Sequence, residues 1–496
     1  MTTLTTVDDD RVAVEESLDA LGPVDDGFRE RLDAELPRLH AALLVGDDGL
    51  EQLMSLVAMA CASWNQRPID LKVHDARASD PARHRSQRAL GATCSPARYA
   101  GNLAGMRDEI GYLRELGVTV LHLSDVLVDA GTVDPGVGST ARLAELAAEL
   151  RLAGIALSLD LPAGADPVAD ALTLANLGVE VLRVDGDPDR ITVLAAVLAL
   201  AAPSMQLAGT NDASGCRLVH DRSGSVLLWD ALATRDPRRL QRALETREQM
   251  PHAVRLAAVR DEEALDASLA DAALGFDDAH RAFLTAFYLG REPGSFARGV
   301  PFPDAEGAQV AGTTASLAGV EAGDDGGEDR IVLAHALTFS MGGMPVLYLG
   351  DEVAQLNDPT YADDPERRHD PRWVHRGNKP RDRYADRGDA GTTAGRIFRR
   401  LTRLIAARQA TTEFAGDELV GFHVPAATVV GFQRPGPHAV VLVLANVGEQ
   451  QALIDPLTLS GFERGAEDLV HGVDLDLDEG IALPSHGFVW LRVRPL

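Results

Sequence analysis

Short apolar segments of β type alternate with longer amphipathic segments over most of this 496-residue chain, and this alternation constrains the fold more than any other feature. It is typical of a parallel sheet whose strands are connected by helices. We predict eight such strands, near Ala89–Cys94, Val118–Ser124, Ile155–Leu161, Val179–Asp185, Met205–Gly209, Val226–Trp229, Val254–Val259 and Pro345–Leu349. Eight strands in this order predict an α/β fold with a closed (β/α)8 barrel, the TIM-barrel architecture.

The regions on either side of the predicted barrel have different patterns. Between residues 1 and 88, leucines recur at helical spacing, which predicts an all-helical N-terminal domain. The barrel would occupy residues 89–410. Because a plain barrel needs only about 250 residues, we expect an insertion, which we place at Asp261–Glu328, where Gly and Asp are frequent. In residues 411–496, β-rich segments separated by turn residues predict a C-terminal β-sandwich.

The charge balance and the cysteines restrict the possible partners and compartment. The chain has 75 acidic and 47 basic residues and a net charge of −28, so its average surface would repel nucleic acid and anionic membranes. The three cysteines, Cys61, Cys94 and Cys216, form no CxxC pair, and no two histidines have the close spacing of metal ligands. We therefore expect a soluble, cytoplasmic protein without a cofactor, a metal, or nucleic-acid or membrane partners.

Several motifs resemble those of a known enzyme family. The segment Gly343–Glu352, GMPVLYLGDE, resembles the eighth-strand motif of the alpha-amylase family, and Asp370–Arg376, DPRWVHR, resembles amylosucrases in particular. Further matches are Leu356–Asp358, Gly290–Gly299, Gly312–Gly319, Trp229–Arg235 and Gly111–Leu123. The resemblance covers most of the chain and implies the same arrangement of helical domain, barrel, insertion after the seventh strand and sandwich.

The resemblance implies retaining α-glucosyl transfer or hydrolysis, which needs two carboxyl groups only ~5 Å apart. In the fourth strand, Asp185 matches the nucleophile of the family, and Arg183, two residues earlier, matches the arginine that positions it. The alternative is an ordinary arginine–aspartate ion pair at the rim of a barrel.

The acid/base position departs from the family pattern. At the end of the fifth strand, Gly209 stands where the family has its acid/base glutamate, and glycine cannot transfer a proton. Asp212 follows three residues later, which could displace a carboxyl by up to ~10 Å unless the loop folds back. Loss of a general acid removes roughly 10²- to 10⁴-fold in rate.

Two more family positions are altered. After the seventh strand, Glu262 and Glu263 stand where the family has a histidine and the aspartate that stabilises the transition state. Glutamate is one methylene longer, whereas catalytic geometry tolerates only ~0.5 Å, so a solvated acidic loop is the alternative interpretation. After the third strand, only Asp160 remains of a segment whose histidine holds the sugar. The large domain that family members insert there is absent, because the next strand follows by Gly178.

Asp129 and Arg372 match a facing acid–arginine pair at the floor of the amylosucrase pocket, with Thr132 where the family has a stacking tyrosine. We expect Asp129 and Arg372 to pair, either in a sugar site or as a structural salt bridge.

These substitutions predict a degenerate amylosucrase-like protein with weak α-glucoside binding at most, whose ligand would be sucrose or an α-glucan. One alternative is an active sucrose glucosyltransferase or α-glucosidase that uses Asp185 with Asp212 or Glu263. Another is a non-enzymatic scaffold or regulatory partner, as occurs with widely reused folds. The oligomeric state is not predicted.

Overall fold

The structure is a computed structural model that describes residues 7–21, 24–43, 48–78, 81–129, 132–162, 166–209, 215–260, 265–270, 272–302 and 308–496. Contacts divide the chain into two compact units. The first unit contains residues 1–83, 94–114 and 119–220, and the second contains residues 84–93, 115–118 and 221–496.

Eight short parallel strands form a closed barrel. They are β1 (Gly91–Cys94), β2 (Val120–Leu123), β3 (Ala156–Asp160), β4 (Val181–Val184), β5 (Gln206–Gly209), β6 (Leu218–His220), β7 (Val254–Ala258) and β8 (Met344–Tyr348). Their order around the barrel is β1-β8-β7-β6-β5-β4-β3-β2. The predicted (β/α)8 fold is therefore confirmed.

Helices precede, connect and follow the strands. In the N-terminal region they are α1 (Val7–Leu21), α2 (Asp26–Leu43), α3 (Gly49–Gln66) and α4 (Ile69–Ala78). In and after the barrel the longer ones are α5 (Ile110–Leu116), α6 (Thr140–Leu152), α7 (Pro167–Asn176), α8 (Pro188–Ala201), α9 (Arg222–Thr234), α10 (Arg238–Glu245), α11 (Asp278–Tyr288), α12 (Gly327–Ser340) and α13 (Thr393–Ala410). Shorter helices are Pro96–Tyr99, Leu103–Asp108, Thr314–Ala318 and Arg381–Ala385. Within the described ranges, none of these helices is both long and apolar enough to cross a bilayer.

The predicted sixth strand is wrong. Val226–Trp229 lies within helix α9, and the sixth strand is the preceding segment Leu218–His220. Asp221 starts the helix, since its side chain accepts a hydrogen bond from the backbone N–H of Gly224. A short run of buried apolar residues cannot by itself distinguish a strand from a fully buried helix, and α9 is buried from Ser225 to Ala233.

The N-terminal region packs on the barrel through α2 and α3, which contact α8 and α7. Leu32, Leu36 and Leu39 form a buried stripe on α2, as their helical spacing predicts. The Arg31 side chain also donates a 3.0 Å hydrogen bond to the carbonyl of Leu200 near the end of α8. These helices therefore cover the two barrel helices that follow β3 and β4.

The connection from β7 to β8 contains α11, α12 and a small antiparallel sheet of Leu265–Asp266, Gln309–Ala311 and Val300–Pro301. By contrast, the described part of the connection from β3 to β4 contains one helix, α7. The domain limits at residues 88 and 410 stay a prediction.

The C-terminal region is an antiparallel sandwich. One sheet has six strands in the order Val420–Gly421, Val429–Pro435, Val440–Asn446, Phe488–Val493, Gly465–Asp468 and Val473–Asp476, and the other pairs Ala452–Ile454 with Ile481–Leu483. A cluster of buried apolar side chains from both sheets, including Leu442, Leu491 and Leu483, fills the space between them. The predicted C-terminal β-sandwich is confirmed.

Candidate functional site

Three polar side chains meet near the C-terminal ends of β2, β3 and β4, and we call His122, Asp160 and Arg183 the rim cluster. The Nε of Arg183 donates a hydrogen bond to Oδ1 of Asp160, and the Nε2 of His122 lies 3.5 Å from Oδ2. The side chains of Asp160 and Arg183 are 36% and 20% exposed, so solvent or a ligand reaches them. The two residues are neighbours because Asp160 of β3 stands opposite Arg183 of β4 in the parallel register.

The environment of Asp160 favours its charged form. Burial by itself would raise the pKa of this carboxyl, but the nearby imidazole of His122 and the guanidinium of Arg183 together hold the pKa well below its ordinary value. Asp160 is therefore an anion at neutral pH. It can accept hydrogen bonds from hydroxyl groups, and it is a poor proton donor.

The imidazole of His122 lies between the hydroxyl of Ser158 and the carboxylate of Asp160, as in the serine–histidine–aspartate triad of a hydrolase. These three side chains cannot act as such a triad. The Oγ of Ser158 lies 3.0 Å from the Nδ1 of His122. Ser158 is only 4% exposed, so its hydroxyl has no access to a substrate, as a nucleophile requires. The contact instead orients the imidazole toward Asp160.

Asp185, which the sequence resemblance matches to the family nucleophile, is exposed just after β4. Burial, together with the negative charge of Asp185, raises the pKa of the Cys216 thiol to about 11. Cys216 lies in the connection between β5 and β6 and is 7% exposed, so its raised pKa makes it unreactive.

The end of β5 carries no acid. Gly209 is the last residue of this strand and pairs with Val184 of β4, so it occupies the barrel position next to the end of β4. Asp212, the possible replacement, lies outside the described residues, as does Glu263. Asp129 ends a short hairpin strand, Leu127–Asp129, but its side chain is also outside what the structure describes.

Arg372 binds the neighbouring residue Asp370. Its Nε lies 2.9 Å from Oδ1 of Asp370 and its Nη2 lies 2.8 Å from Oδ2. Burial alone would raise the pKa of Asp370, and the hydrogen bonds from Arg372 lower it. The expected pairing of Arg372 with Asp129 stays a prediction, because the Asp129 side chain is not described.

In the second compact unit, the ends of β7 and β8 carry a buried polar network that sequence reasoning missed. The guanidinium of Arg260 lies 3.7 Å from the centre of the Tyr348 ring, and its Nη2 lies 3.7 Å from Oδ1 of Asp351. The Oγ1 of Thr314 donates a 2.8 Å hydrogen bond to Oδ2 of Asp351. Asp351 belongs to the eighth-strand motif Gly343–Glu352 and is buried. The presence of an acid in that motif was the sequence signal that could have revealed this network. These contacts hold Arg260 in place, and Arg260 lies directly before the segment that contains Glu262 and Glu263.

These side chains can bind polar groups, but they do not form a general acid paired with a nucleophile. Across the described ranges, no group of three His, Cys, Asp or Glu side chains could hold a metal ion.

The fold is similar to that of solved alpha-amylase-type proteins. Sucrose 6F-phosphate phosphorylase from Thermoanaerobacter thermosaccharolyticum has 12% sequence identity and a TM-score of 0.58, covering 73% of this chain and 94% of its own. An AmyP variant in complex with maltotriose has 11% identity and a TM-score of 0.60, covering 83% and 98%. The alpha-amylase of Geobacillus thermoleovorans complexed with acarbose has 12% identity and a TM-score of 0.57, covering 82% and 98%. No model of a known protein family matches the sequence. At these identities the likeness establishes the fold: the chain has the alpha-amylase-type fold that its motifs predict.

Proposed function

We propose that this chain is a degenerate, amylosucrase-like relative of the alpha-amylases that binds α-glucosides weakly and has lost most or all of their glucosyl-transfer and hydrolytic activity. The shared fold and the motifs at Gly343–Glu352 and Asp370–Arg376 support the relationship. The ligand class, sucrose or an α-glucan, follows from the amylosucrase resemblance. It agrees with the maltotriose and acarbose in two of the similar structures.

The observation that carries the proposal is the glycine at the end of β5. Cleavage of a glycosidic bond with retention needs a proton donor on the side of the leaving group and a nucleophile ~5 Å away. Gly209 has no side chain to donate a proton, and Asp160 is held as an anion by His122 and Arg183. Without the acid, the alkoxide leaving group would have to depart unprotonated.

The same site can still bind a sugar. Asp160 and Arg183 present charged, partly exposed groups that can hydrogen bond to hydroxyls, and Asp185, two residues after Arg183, is exposed. Arg372 and Asp129, matched to the pocket floor of amylosucrases, are the further binding residues of this proposal, and Glu263 is the residue in the altered transition-state position.

Turnover of sucrose tests the loss of catalysis. Purified protein is incubated with sucrose, and glucose, fructose and glucan are measured for the native chain, for Asp185→Asn, and for Asp189→Asn as a matched control on an exposed acid four residues later. We expect no turnover above the control without protein. Robust turnover that disappears in Asp185→Asn and persists in Asp189→Asn would refute the proposal.

The retained, exposed carboxylate of Asp185 favours a second candidate, an active transglucosylase or glucosidase with a displaced acid. In that case Asp212→Asn or Glu263→Gln should abolish the turnover that Asp185→Asn abolishes, because both groups would act in one reaction. If the sugars neither react nor stabilise the protein while it co-purifies with an active relative, the scaffold function replaces both candidates.

A further inference from the structure

Helix α13, in the second compact unit, is basic in an otherwise acidic protein. Its 18 residues, Thr393–Ala410, include five arginines and no aspartate or glutamate, although the whole chain carries a net charge of −28. A basic amphipathic helix is typical of a membrane surface, but the apolar side of α13, with Ile397, Leu401 and Leu404, is buried in the protein. The arginines on its other side therefore face solvent without an apolar surface for lipid.

Two of these arginines already bind acids of the protein itself. Arg396 and Arg400 are four residues apart, so their side chains are neighbours on the helix surface. The Nε and Nη2 of Arg396 donate hydrogen bonds of 2.9 and 2.5 Å to the carboxylate of Glu328. The Nη1 of Arg400 lies 2.7 Å from Oδ1 of Asp329. Two arginines at this spacing thus bind two consecutive carboxylates in the first turn of α12.

A second pair of arginines on α13 repeats this spacing. Arg399 and Arg403 are also four residues apart, and both are exposed. They lie about 60° around the helix from the first pair, since each turn takes about 3.6 residues. The Nε of Arg399 donates a 3.3 Å hydrogen bond to the carbonyl of Gly395 in the same helix. Among the described residues, neither guanidinium of this second pair forms an ion pair with a carboxylate.

We propose that Arg399 and Arg403 form a docking surface for a short, carboxylate-rich segment of another protein. The first arginine pair on the same helix shows that this spacing accepts two neighbouring carboxylates, each bound by one guanidinium. The segment is short because the acidic remainder of the surface repels an extended polyanion. A second copy of the chain is a poor partner for the same reason, since each copy carries a net charge of −28. Docking at α13 involves no sugar chemistry, so it is independent of the proposed function.

Binding of a fluorescein-labelled octaglutamate peptide to the full-length chain, followed by fluorescence anisotropy, tests the docking surface. We expect binding in about 0.1 M salt and release in about 1 M salt, because the Debye length falls from about 10 Å to about 3 Å. Arg399→Glu combined with Arg403→Glu should weaken binding roughly tenfold or more, since two attractions become repulsions. Arg238→Glu combined with Arg464→Glu is the matched control. It changes the net charge equally at side chains that are 83% and 70% exposed, and it should bind like the native chain.

Three results would overturn the proposal. The first is a native chain that does not bind octaglutamate, or an α13 variant that binds it no more weakly than the control variant does. The second is tighter binding of linear polyphosphate of equal charge through the same two arginines, which would identify a phosphate-binding surface. The third is self-association in low salt that Arg399→Glu with Arg403→Glu abolishes, which would identify a second copy as the partner. Should that variant fold poorly, Arg399→Gln with Arg403→Gln removes the charges without adding new ones and should also weaken octaglutamate binding.

Discussion

The two ends of β4 contrast sharply. Before its first residue, Glu180 accepts hydrogen bonds from the Nε2 of His74 at 3.0 Å and from Arg83 at 3.1 Å, and its side chain is only 6% exposed. After its last residue, Asp185 is exposed. Over five positions, from Glu180 to Asp185, the chain thus changes from a buried acid with two hydrogen-bond donors to an acid that is exposed to solvent.

A second acid, Asp75, forms a buried ion pair near the N-terminal end of β4. The carboxylate of Asp75, next to His74 on α4, binds Arg67 through two hydrogen bonds of 2.6 and 2.8 Å. It also accepts a 2.6 Å hydrogen bond from the hydroxyl of Ser204, close to the start of β5. We call Arg67, His74, Asp75, Arg83 and Glu180 the basal cluster. It ties α4 to the beginnings of β4 and β5.

The difference between the two ends of β4 matches the different roles of the two ends of a (β/α)8 barrel. Loops at the C-terminal ends of the strands carry function, whereas the N-terminal ends contribute to stability. In this chain the two acids of the basal cluster, Asp75 and Glu180, are buried and paired, while the rim cluster lies next to a strand that ends in Gly209. The contrast agrees with the proposal that the scaffold has been kept while its chemistry has been lost, and each of the following predictions tests it.

The largest effect is expected from Asp75→Ala. Removing one partner of a buried ion pair leaves Arg67 uncompensated, which costs about 3–5 kcal/mol. Denaturant unfolding followed by circular dichroism measures the loss. The matched control is Asp70→Ala on the same helix, because Asp70 pairs with Arg151 but is 63% exposed. Its cost should stay below about 1 kcal/mol. Similar losses in the two variants would contradict the role assigned to the basal cluster.

A smaller loss is expected from Glu180→Gln. The amide keeps the shape and one acceptor oxygen but loses the charge that pairs with Arg83 and His74, and hydrogen bonds to charged groups contribute about 1.5–3 kcal/mol. Thermal unfolding at pH 7 should show a lower midpoint than the native chain. An unchanged midpoint would show that Glu180 and its contacts with His74 and Arg83 do not contribute to stability.

The same variant should change the response to acid. Burial alone would raise the pKa of Glu180, but His74 and Arg83 lower it overall. Its contribution is therefore complete above the unfolded pKa of about 4.3 and is lost as the pH falls through the lower folded value. Between about pH 5.5 and pH 3.5 the native chain should lose more stability than Glu180→Gln, as measured by denaturant midpoints. Parallel curves would contradict this assignment.

The fold was largely predictable from the sequence, because seven of the eight strands are apolar runs bounded by turns. The sixth strand was missed because Leu218–His220 is short, and the buried run within α9 is more apolar than the real strand. In the site, the positions of Asp160, Arg183 and Asp185 at strand ends followed from the motifs. The contact of Asp160 with His122 did not, since it depends on which strands are neighbours and on which face each side chain lies.

The basal cluster was unpredictable for the same reason. His74 and Glu180 are separated by 106 positions in sequence, and neither belongs to a motif. The sequence around an isolated histidine or glutamate does not indicate which residue it contacts. This pairing depends on how α4 packs near the N-terminal ends of the barrel strands.

Asp160→Asn should reduce the stability of the protein least among these variants. It should also abolish the stabilisation that a bound sugar provides. Because the side chain is 36% exposed, water screens its ion pair with Arg183, and the loss should be below about 1 kcal/mol. A sugar at ten times its dissociation constant should stabilise the native chain by about 1.4 kcal/mol, and this shift should disappear in Asp160→Asn. Thermal unfolding with sucrose and with maltotriose measures both quantities, with Asp189→Asn as the control that keeps the shift. If Asp160→Asn retains the full sugar-induced shift, the rim cluster is not the sugar site, and the contrast between the two ends of β4 concerns stability alone.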